Sequence, residues 1–300
     1  MTVVYSPHYH IDIGLHIFPT LKYQLLAGRI APYPFVEPAT AAWDDLALVH
    51  TRPYLNKTRS GTLTAAELVQ LEVPWSPAVV EGFRLMSGGT IAAAQHVASG
   101  EERVAFHIGG GFHHAFANHG EGFCLFNDVA VAIRVLIRDR VIARAAIVDL
   151  DVHQGNGTAL IFENEPNVFT FSMHQQNNYP LFKPRGSLDI SLDDGVTDSS
   201  YLKRLEPALE QVFAHRPEIV FYLAGADPYR DDQLGGLHLS KAGLRERDRT
   251  VLRACAIRKL PVVVVLAGGY ARNIEDTIDI HYATFEESRA NPATVFKSTI

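Results

Sequence analysis

The chain has 300 residues, of which 47% are hydrophobic and 20% are charged. This balance is typical of a folded globular protein and is enough for one large α/β domain or two small ones. The formal net charge is −6 and the sequence contains no basic cluster, which argues against direct binding of nucleic acid. Cys124 and Cys255 are too few for a disulfide framework.

No stretch of the sequence approaches the roughly 18 consecutive apolar residues that a membrane-spanning helix needs. The first ten residues also lack the charged and apolar regions of a secretory signal. We therefore expect a cytoplasmic protein without a membrane span. Because no linker, composition shift or internal repeat divides the chain, we predict one domain over residues 1–300. Nothing in the sequence specifies an oligomeric state.

Short β-branched runs alternate with helical patterns, and this alternation predicts a parallel sheet covered by helices. In chain order, the predicted elements are helix 77–98, strand 103–108, helix 127–138, strand 145–148, strand 168–172, helix 200–215, strand 219–223, helix 241–258, strand 262–266 and helix 274–289. Ser240 is the predicted N-cap of the helix that begins at residue 241.

Glycine, histidine or carboxylate residues follow each predicted strand. They occupy the stretches 109–114, 149–153, 173–174, 224–227 and 268–270. Open α/β sheets bind their ligands at the carboxyl ends of the strands. The sequence therefore predicts that these stretches form one functional site.

The segment Asp149-Leu150-Asp151-Val152-His153 contains the strongest candidates for metal binding. Side chains two positions apart on an extended chain project to the same face, so Asp149, Asp151 and His153 can converge. Asp227 supplies another carboxylate at a later strand end. Two oxygens and one nitrogen with open positions suit a catalytic Zn²⁺ or Fe²⁺. Taken alone, the segment is equally compatible with a helix cap or turn.

His113, His114 and Tyr270 are candidate catalytic residues. Three glycines precede the two histidines, and a loop bent at glycine can aim both imidazoles inward. Each imidazole then needs a partner that fixes its tautomer, and Asp149 and Asn156 are available for this. Tyr270 follows two glycines and can donate a hydrogen bond to a developing oxyanion. The alternative for Tyr270 is an aromatic residue that packs on the core.

Five ordered motifs resemble those of the zinc-dependent histone deacetylase superfamily, most closely its class IV branch and bacterial relatives. They are GGGFHHAF at 109–116, GEGFCLFNDVAVAI at 120–133, VDLDVHQGNGTA at 148–159, AGADPYRDDQLGGLHLS at 224–240 and LAGGY at 266–270. The resemblance covers roughly the whole chain. It implies the arginase/deacetylase fold, a single three-layer α/β domain with a mostly parallel sheet of about eight strands between helices.

The resemblance also implies roles for individual residues. It makes Asp151, His153 and Asp227 the ligands of Zn²⁺, with Fe²⁺ as an alternative, and it places a structural K⁺ beside Asp149. The backbone carbonyls of this K⁺ site are those around Asp151, His153, Ser172 and Met173. The implied catalytic residues are the general base His114, its electrostatic partner His113, the paired Asp149 and Asn156, and the oxyanion donor Tyr270.

By the same resemblance, the substrate is an acyl-lysine protein or peptide, or a small acylated amine, and the reaction is metal-assisted amide hydrolysis. The implied substrate-binding residues are Gly122, Phe123, Tyr179, Leu234, Gly268 and Gly269. The tunnel for the acyl-lysine is lined by Phe123 and Tyr179, left open by Gly122 and bordered at its rim by Leu234. Composition does not rank these substrates.

Three departures from the family pattern modify these expectations. Asn156 stands where many relatives carry aspartate, which favours a neutral His114. Ala267 replaces the usual third glycine before the tyrosine. The apolar stretch 73–77 replaces the loop that carries the aspartate clamping the substrate backbone. With the class IV resemblance, this predicts that recognition depends on the acyl group and that decanoyl to myristoyl chains are preferred over acetyl.

Two other functions are compatible with parts of the pattern. An arginase-like ureohydrolase has the same fold, but it needs a second metal and therefore a DxD at the later strand end, where Pro228 and Tyr229 follow Asp227. A catalytically silent module that binds acyl-lysine or metal is the non-enzymatic alternative. Such a module would be expected to lack a ligand, His114 or Tyr270, and the sequence retains all of them.

Overall fold

The computed structural model describes residues 1–290, and residues 291–300 of the predicted domain lie outside this part. Seven strands form one sheet: β1 (Thr2–Val4), β2 (Val104–His107), β3 (Ala145–Asp149), β4 (Val168–Gln175), β5 (Leu188–Leu192), β6 (Ile219–Leu223) and β7 (Val262–Val265). All neighbouring strands pair in parallel, in the order β1-β2-β7-β6-β3-β4-β5. The predicted α/β class with a parallel sheet is confirmed.

The described helices flank this sheet. They are α1 (Leu21–Ile30), α2 (Trp43–Leu46), α3 (Arg52–Ser60), α4 (Ala65–Leu71), α5 (Pro77–Ala98), α6 (Asp128–Arg138), α7 (Asn156–Ile161), α8 (Asp198–Ala214), α9 (Lys241–Ile257) and α10 (Ile274–Ala290), with a 3₁₀ turn at Pro7–Tyr9. Helix α5 packs against α6 and against β1, β2 and β7, whereas α9 packs between α8 and α10. Strands β2, β3, β6 and β7 are fully buried, and their valine, isoleucine and alanine side chains form the centre of the core.

The sheet has seven strands in the described residues, one fewer than the approximate number implied by the resemblance. Beside β1 the chain makes only a single parallel bridge, between Val4 and Val36. Val36 donates to Val3 O at 2.8 Å and accepts from Tyr5 N at 3.1 Å. Pro34 and Pro38 flank this bridge, and a proline has no N–H with which to extend a ladder.

Every strand and helix predicted from the sequence is present, with small shifts at the ends. The prediction for β6 is identical to the observed Ile219–Leu223, whereas β4 extends further, to Gln175. Ser240 caps α9 as predicted, because its hydroxyl accepts from Gly243 N at 3.0 Å. The sequence analysis missed β1 and β5. The first has three residues, and β5 is a partly exposed edge strand with alternating polar residues.

The topology brings the predicted stretches together. Strands β2, β7, β6 and β3 are consecutive in the middle of the sheet and point the same way. The loops that follow them therefore meet at one edge, which is the edge where such sheets bind ligands. None of the helices described between residues 1 and 290 is both long and apolar enough to cross a membrane.

Candidate active site

Three metal-ligating side chains meet beside the carboxyl ends of β3 and β6. Asp151, His153 and Asp227 each offer one ligand atom, and these atoms all lie within 4.8 Å of one another. All three residues are buried. Within the described residues, no other group of three or more histidine, cysteine, aspartate or glutamate side chains has this spacing.

Backbone amides hold the two carboxylates in place. Asp151 accepts from Gly268 N at 2.7 Å and from His153 N at 2.9 Å, and Asp227 Oδ1 accepts from Val152 N at 2.9 Å. Asp227 Oδ2 is buried without a hydrogen-bond partner and lies 3.4 Å from His153 Nδ1. A cation bound next to this buried oxygen would satisfy it. Two carboxylates and one imidazole therefore fit a divalent metal.

The space beside these ligands depends on glycine. A methyl group on Gly268 would overlap the carboxylates of both Asp227 and Asp151. A methyl group on Gly225 would lie 2.8 Å from Asp227 Oδ1 and 2.9 Å from Asp151 Oδ2. Only residues without a side chain allow the two backbone segments to approach the carboxylates this closely.

The charges of the three side chains are strongly coupled. Burial and the nearby carboxylate of Asp151 raise the pKa of Asp227 to about 7. Burial opposes ionisation of Asp151 as well, but the positive charges of His113 and His153 hold its pKa well below the usual range. Burial would lower the pKa of His153, but both carboxylates raise it to about 10. The carboxylates thus attract positive charge to the position where a metal would bind.

His113 and His114 form a hydrogen-bonded chain across the site. His113 Nδ1 lies 2.7 Å from Asp149 Oδ2, and the Nε2 atoms of the two histidines are 3.1 Å apart. His114 Nδ1 lies 2.7 Å from Asn156 Oδ1. Asn156 Nδ2 in turn donates to Glu121 Oε1 at 2.6 Å. Each imidazole therefore has a fixed partner on its far side.

The two imidazoles are held in opposite charge states. Burial alone would lower the pKa of His113, but the carboxylates of Asp149 and Asp151 raise it to about 9. Burial lowers the pKa of His114 far below its ordinary value, and the positive charges of His113 and His153 lower it further. At neutral pH His113 is a cation and His114 is neutral, so His114 can accept a proton.

Tyr270 is positioned by a residue that the sequence analysis missed. Its backbone N donates to Asp232 Oδ2 at 2.7 Å, and its ring centroid lies 6.0 Å from that of Phe123. Burial, together with the carboxylates of Asp151 and Asp227, raises the pKa of the phenol well above its ordinary value. The hydroxyl therefore keeps its proton and can donate it in a hydrogen bond.

A cavity of about 190 Å³ opens onto these groups. Its lining includes most of the predicted residues, namely His113, His114, Asp151, His153, Tyr270, Gly122, Phe123, Tyr179, Leu234 and Gly268. Gly269 is not part of the lining, because its α-carbon faces Thr277 and Ala226 instead. The remaining predicted residues lie behind the cavity wall, where they contact the lining residues.

Gly122 determines the width of the cavity. Its φ is +51°, and a methyl group there would lie 2.9 Å from His114 Cδ2 and 3.0 Å from the Tyr179 hydroxyl. The neighbouring Phe123 also has a positive φ, +67°, and its ring stacks on Phe18 with centroids 6.1 Å apart. Any side chain at Gly122 would fill the space between the base and the tyrosine ring.

Several residues of the site carry no signal in the sequence alone. Asp232 accepts from Leu234 N and Gly235 N, at 2.8 and 3.0 Å, in addition to Tyr270 N. Lys22 is fully buried and donates to Ala267 O at 2.7 Å, and burial lowers its pKa to about 8. Their roles depend on loops distant in sequence. The additional cavity-lining residues that the sequence analysis did not name for the site include Glu72, Cys124, Asn178 and Ala267.

The stretch 73–77, which replaces the loop with the clamping aspartate, does not line the cavity. Val73 is buried, and Trp75 Nε1 donates to Thr58 O at 2.7 Å, so these side chains pack inward. Glu72, immediately before them, lines the cavity instead. This removes one of the arguments for recognition through the acyl group.

Residues 16–284 match the histone deacetylase domain. The chain belongs to the histone deacetylase family. It is 41% identical over 289 residues to an uncharacterized protein of Picosynechococcus sp., covering 93% of this chain and 95% of that protein. It is 34% identical over 303 residues to histone deacetylase 2 of Arabidopsis thaliana, covering 93% of this chain and 78% of that protein.

Two further comparisons agree with membership of the histone deacetylase family. The acetoin utilization protein AcuC of Bacillus subtilis is 34% identical over 267 residues, which cover 79% of this chain and 68% of that protein. The crystal structure of the HDA15 HD domain superposes with a TM-score of 0.83 at 23% identity, over 96% of this chain and 91% of that one. This structural likeness supports the fold.

We predict that Asp227→Ala and His153→Ala each lose divalent metal. Each change removes one of only three ligands, so binding should weaken greatly. Metal analysis and thermal unfolding with added Zn²⁺ would measure this, since a ligand at 100 times its Kd stabilises a protein by about 2.7 kcal/mol. Asp231→Ala removes an exposed carboxylate on the same loop and should bind metal normally. Equal metal content in Asp227→Ala would refute the assignment.

We predict that exchanging Asn156 and Glu121 for Asp and Gln raises the pKa of His114. The double variant keeps the net charge but moves the carboxylate next to His114 Nδ1, where it favours the imidazolium. The single Asn156→Asp variant is less informative, because the new carboxylate would lie next to that of Glu121 and the two would repel each other. Histidine NMR titration would measure the change. An unmoved His114 resonance would contradict the predicted contact.

Proposed function

We propose that this chain is a metal-dependent amidohydrolase that removes acetyl or longer acyl groups from lysine side chains or related acylated amines. One observation carries the proposal: two hydrogen-bonded histidines, a tyrosine and two of the three residues of a buried Asp-His-Asp cluster line one cavity. This combination supplies a base, an oxyanion donor and a metal site, which are the groups that amide hydrolysis needs.

Asp151, His153 and Asp227 would hold the catalytic ion, which we propose to be Zn²⁺, with Fe²⁺ as the alternative. Such an ion supplies Lewis-acid polarisation of the acyl carbonyl and lowers the pKa of water. We also propose a structural K⁺ beside Asp149. A second, small cavity is lined by Asp149 and Ser172, which is consistent with an ion at this place. The class IV and cytoplasmic assignments rest on the sequence alone.

In the proposed reaction, His114 transfers the proton, whereas His113 and Tyr270 stabilise the negative charge that develops. His114 Nε2 accepts a proton from the attacking water and later delivers it to the leaving lysine amine, so that the proton is conserved. The positive charge of His113, held by Asp149, stabilises the negative charge that develops nearby. The Tyr270 hydroxyl donates a hydrogen bond to the former carbonyl oxygen.

The cavity walls fit a linear, apolar side chain. Phe123 and Tyr179 present aromatic rings, Gly122 keeps the space between Tyr179 and His114 free, and Leu234 contributes an apolar group. The methylene groups of a lysine would pack against these rings while the amide reaches the histidines. Both an acyl-lysine peptide and a small acylated amine present such a chain.

The alternatives from the sequence find less support. A ureohydrolase needs a second metal, yet the described residues contain a single cluster of suitable ligands. A silent module would be expected to lack part of the catalytic set, but His114 and Tyr270 both line the cavity beside two of the metal ligands. Metal loading followed by assay on an acyl-lysine substrate would separate these functions from the proposed one.

We predict that Tyr270→Phe lowers kcat by about 10²-fold, the usual effect of removing one oxyanion donor. The ring and its packing on Phe123 would remain, so metal content should not change. Tyr282→Phe, on α10 and remote from the cavity lining, provides the matched control. Turnover close to that of the parent protein would mean that Tyr270 only packs.

We predict that kcat/KM is higher for a decanoyl- to myristoyl-lysine peptide than for the acetyl peptide. Each additional buried methylene contributes about 0.8 kcal/mol if the cavity admits it. A panel of acyl-lysine peptides and acylpolyamines, assayed with metal-loaded protein, would test both this preference and the proposed reaction. A preference for acetyl would refute long-chain selection and indicate that Phe18 and Phe112 close the cavity.

A further inference from the structure

The side chain of Glu121 joins the catalytic base to the cavity wall. Glu121 lies between Gly120 and Gly122, and its side chain is only 14% exposed. Oε1 accepts from Asn156 Nδ2 at 2.6 Å and from the Tyr179 hydroxyl at 2.9 Å. The family resemblance assigned no role to this residue.

The outer oxygen of the carboxylate is held as well. Oε2 of Glu121 accepts from Gln70 Nε2 at 2.9 Å and lies 3.4 Å from His119 Nε2. The backbone N and O of Glu121 both bond to Cys124, which fixes the loop. Burial would raise the pKa of the Glu121 carboxyl, but hydrogen bonds from His119, Asn156 and other donors lower it to about 2. The carboxylate is thus ionised and can only accept hydrogen bonds.

An ionised acceptor at this place determines which way the Asn156 amide points. Nδ2 must face Glu121, so Oδ1 faces His114 Nδ1 at 2.7 Å and also accepts from Gly157 N at 3.0 Å. If the Asn156 amide were flipped, its Nδ2 would face the Gly157 N–H and its Oδ1 would face the Glu121 carboxylate. Neither pair could form a hydrogen bond. Because Oδ1 accepts, His114 carries its proton on Nδ1 and leaves Nε2 unprotonated.

The same oxygen fixes the neighbouring wall of the cavity. The Tyr179 ring lies edge-to-face with His114, with centroids 5.0 Å apart and an interplanar angle of 86°. Its hydroxyl has Glu121 as its acceptor. A displacement of the carboxylate would therefore release the ring that confines the base as well as the amide that orients it.

We propose that Glu121 is a positioning residue, which acts through the Asn156 amide and the Tyr179 hydroxyl to hold His114 as the Nδ1–H tautomer, so that the unprotonated Nε2, 3.1 Å from His113 Nε2, can accept a proton. This inference rests on the proposed function for its effect on turnover. The tautomer itself does not depend on which substrate the protein accepts.

Two nearly matched variants separate geometry from charge. Glu121→Gln keeps the length of the side chain but replaces a group that can only accept with an amide that can also donate, so the Asn156 amide is less firmly oriented and kcat should fall by less than in the shorter variant. Glu121→Asp keeps the charge but is too short to reach both donors, and kcat should fall about 10- to 100-fold, the usual effect of losing such an orienting partner. KM should rise as well, because Tyr179, which lines the cavity, loses the acceptor of its hydroxyl. If Glu121→Asp kept the kcat of the parent protein while Glu121→Gln lost it, the proposal would be overturned.

A double-mutant cycle tests whether the effect passes through Asn156. We expect Glu121→Asp to lower kcat in the parent protein but to cost little more in an Asn156→Ala background, because the orienting amide is already absent. Fully additive losses would refute the proposed route. Glu163→Asp makes the same change at an exposed glutamate outside the cavity lining and serves as the control, with kcat unchanged.

Histidine ¹⁵N NMR of the metal-loaded protein gives a measurement that needs no substrate. His114 should be the Nδ1–H tautomer in the parent protein, and both Glu121 variants should weaken its Nδ1–H hydrogen bond to Asn156 and shift the Nδ1 resonance, Glu121→Asp more than Glu121→Gln. Identical His114 spectra in all three proteins would overturn the inference. If the parent protein fails to hydrolyse every acyl-lysine substrate, the proposed function fails, and the spectra still decide the role of Glu121.

Discussion

The burial of Asp151 and Asp227 against each other is the constraint on which the rest of the site depends. Two carboxylates removed from water repel each other, and one oxygen of Asp227 has no hydrogen-bond donor. Positive charge on His153 and His113 offsets this repulsion. Behind the pair, the buried Arg247 donates to Leu150 O at 3.3 Å and to Gly225 O at 2.6 Å, which ties together the two loops that carry the ligands. A divalent ion bound by the proposed ligands would complete this balance of charge.

The difference between the two histidines follows from the nature of their partners. His113 contacts a carboxylate, Asp149, whereas His114 contacts an amide, Asn156. Because the first partner is charged and the second is neutral, adjacent residues of identical chemistry take opposite protonation states. A negative charge is still present near His114. It is carried by Glu121, which contacts Asn156 rather than His114 itself. His114 is therefore linked to this carboxylate through the Asn156 amide rather than paired with it directly.

Patterns in the sequence predicted the features that depend on residues close together in the chain. The apolar runs identified five of the strands, and the residues at their ends, such as Asp151 and Tyr270, lie at one edge of the sheet. Patterns could not predict contacts between distant loops. Asp232 acts on Tyr270 across 38 positions, and Lys22 reaches Ala267 across 245. The edge strand β5 was missed because its half-exposed side chains lack the continuous apolar run of a buried strand.

The position of β7 in the sheet has a consequence for how the protein is made. This strand is the last one described between residues 1 and 290, but it lies between β2 and β6. Until it leaves the ribosome, β1 and β2 are separated from the other four strands, and both groups present an open apolar edge. Synthesis from the amino terminus thus yields a long-lived nascent chain without a complete core. Chaperone dependence and aggregation of truncated products should accordingly increase sharply for chains that end before β7.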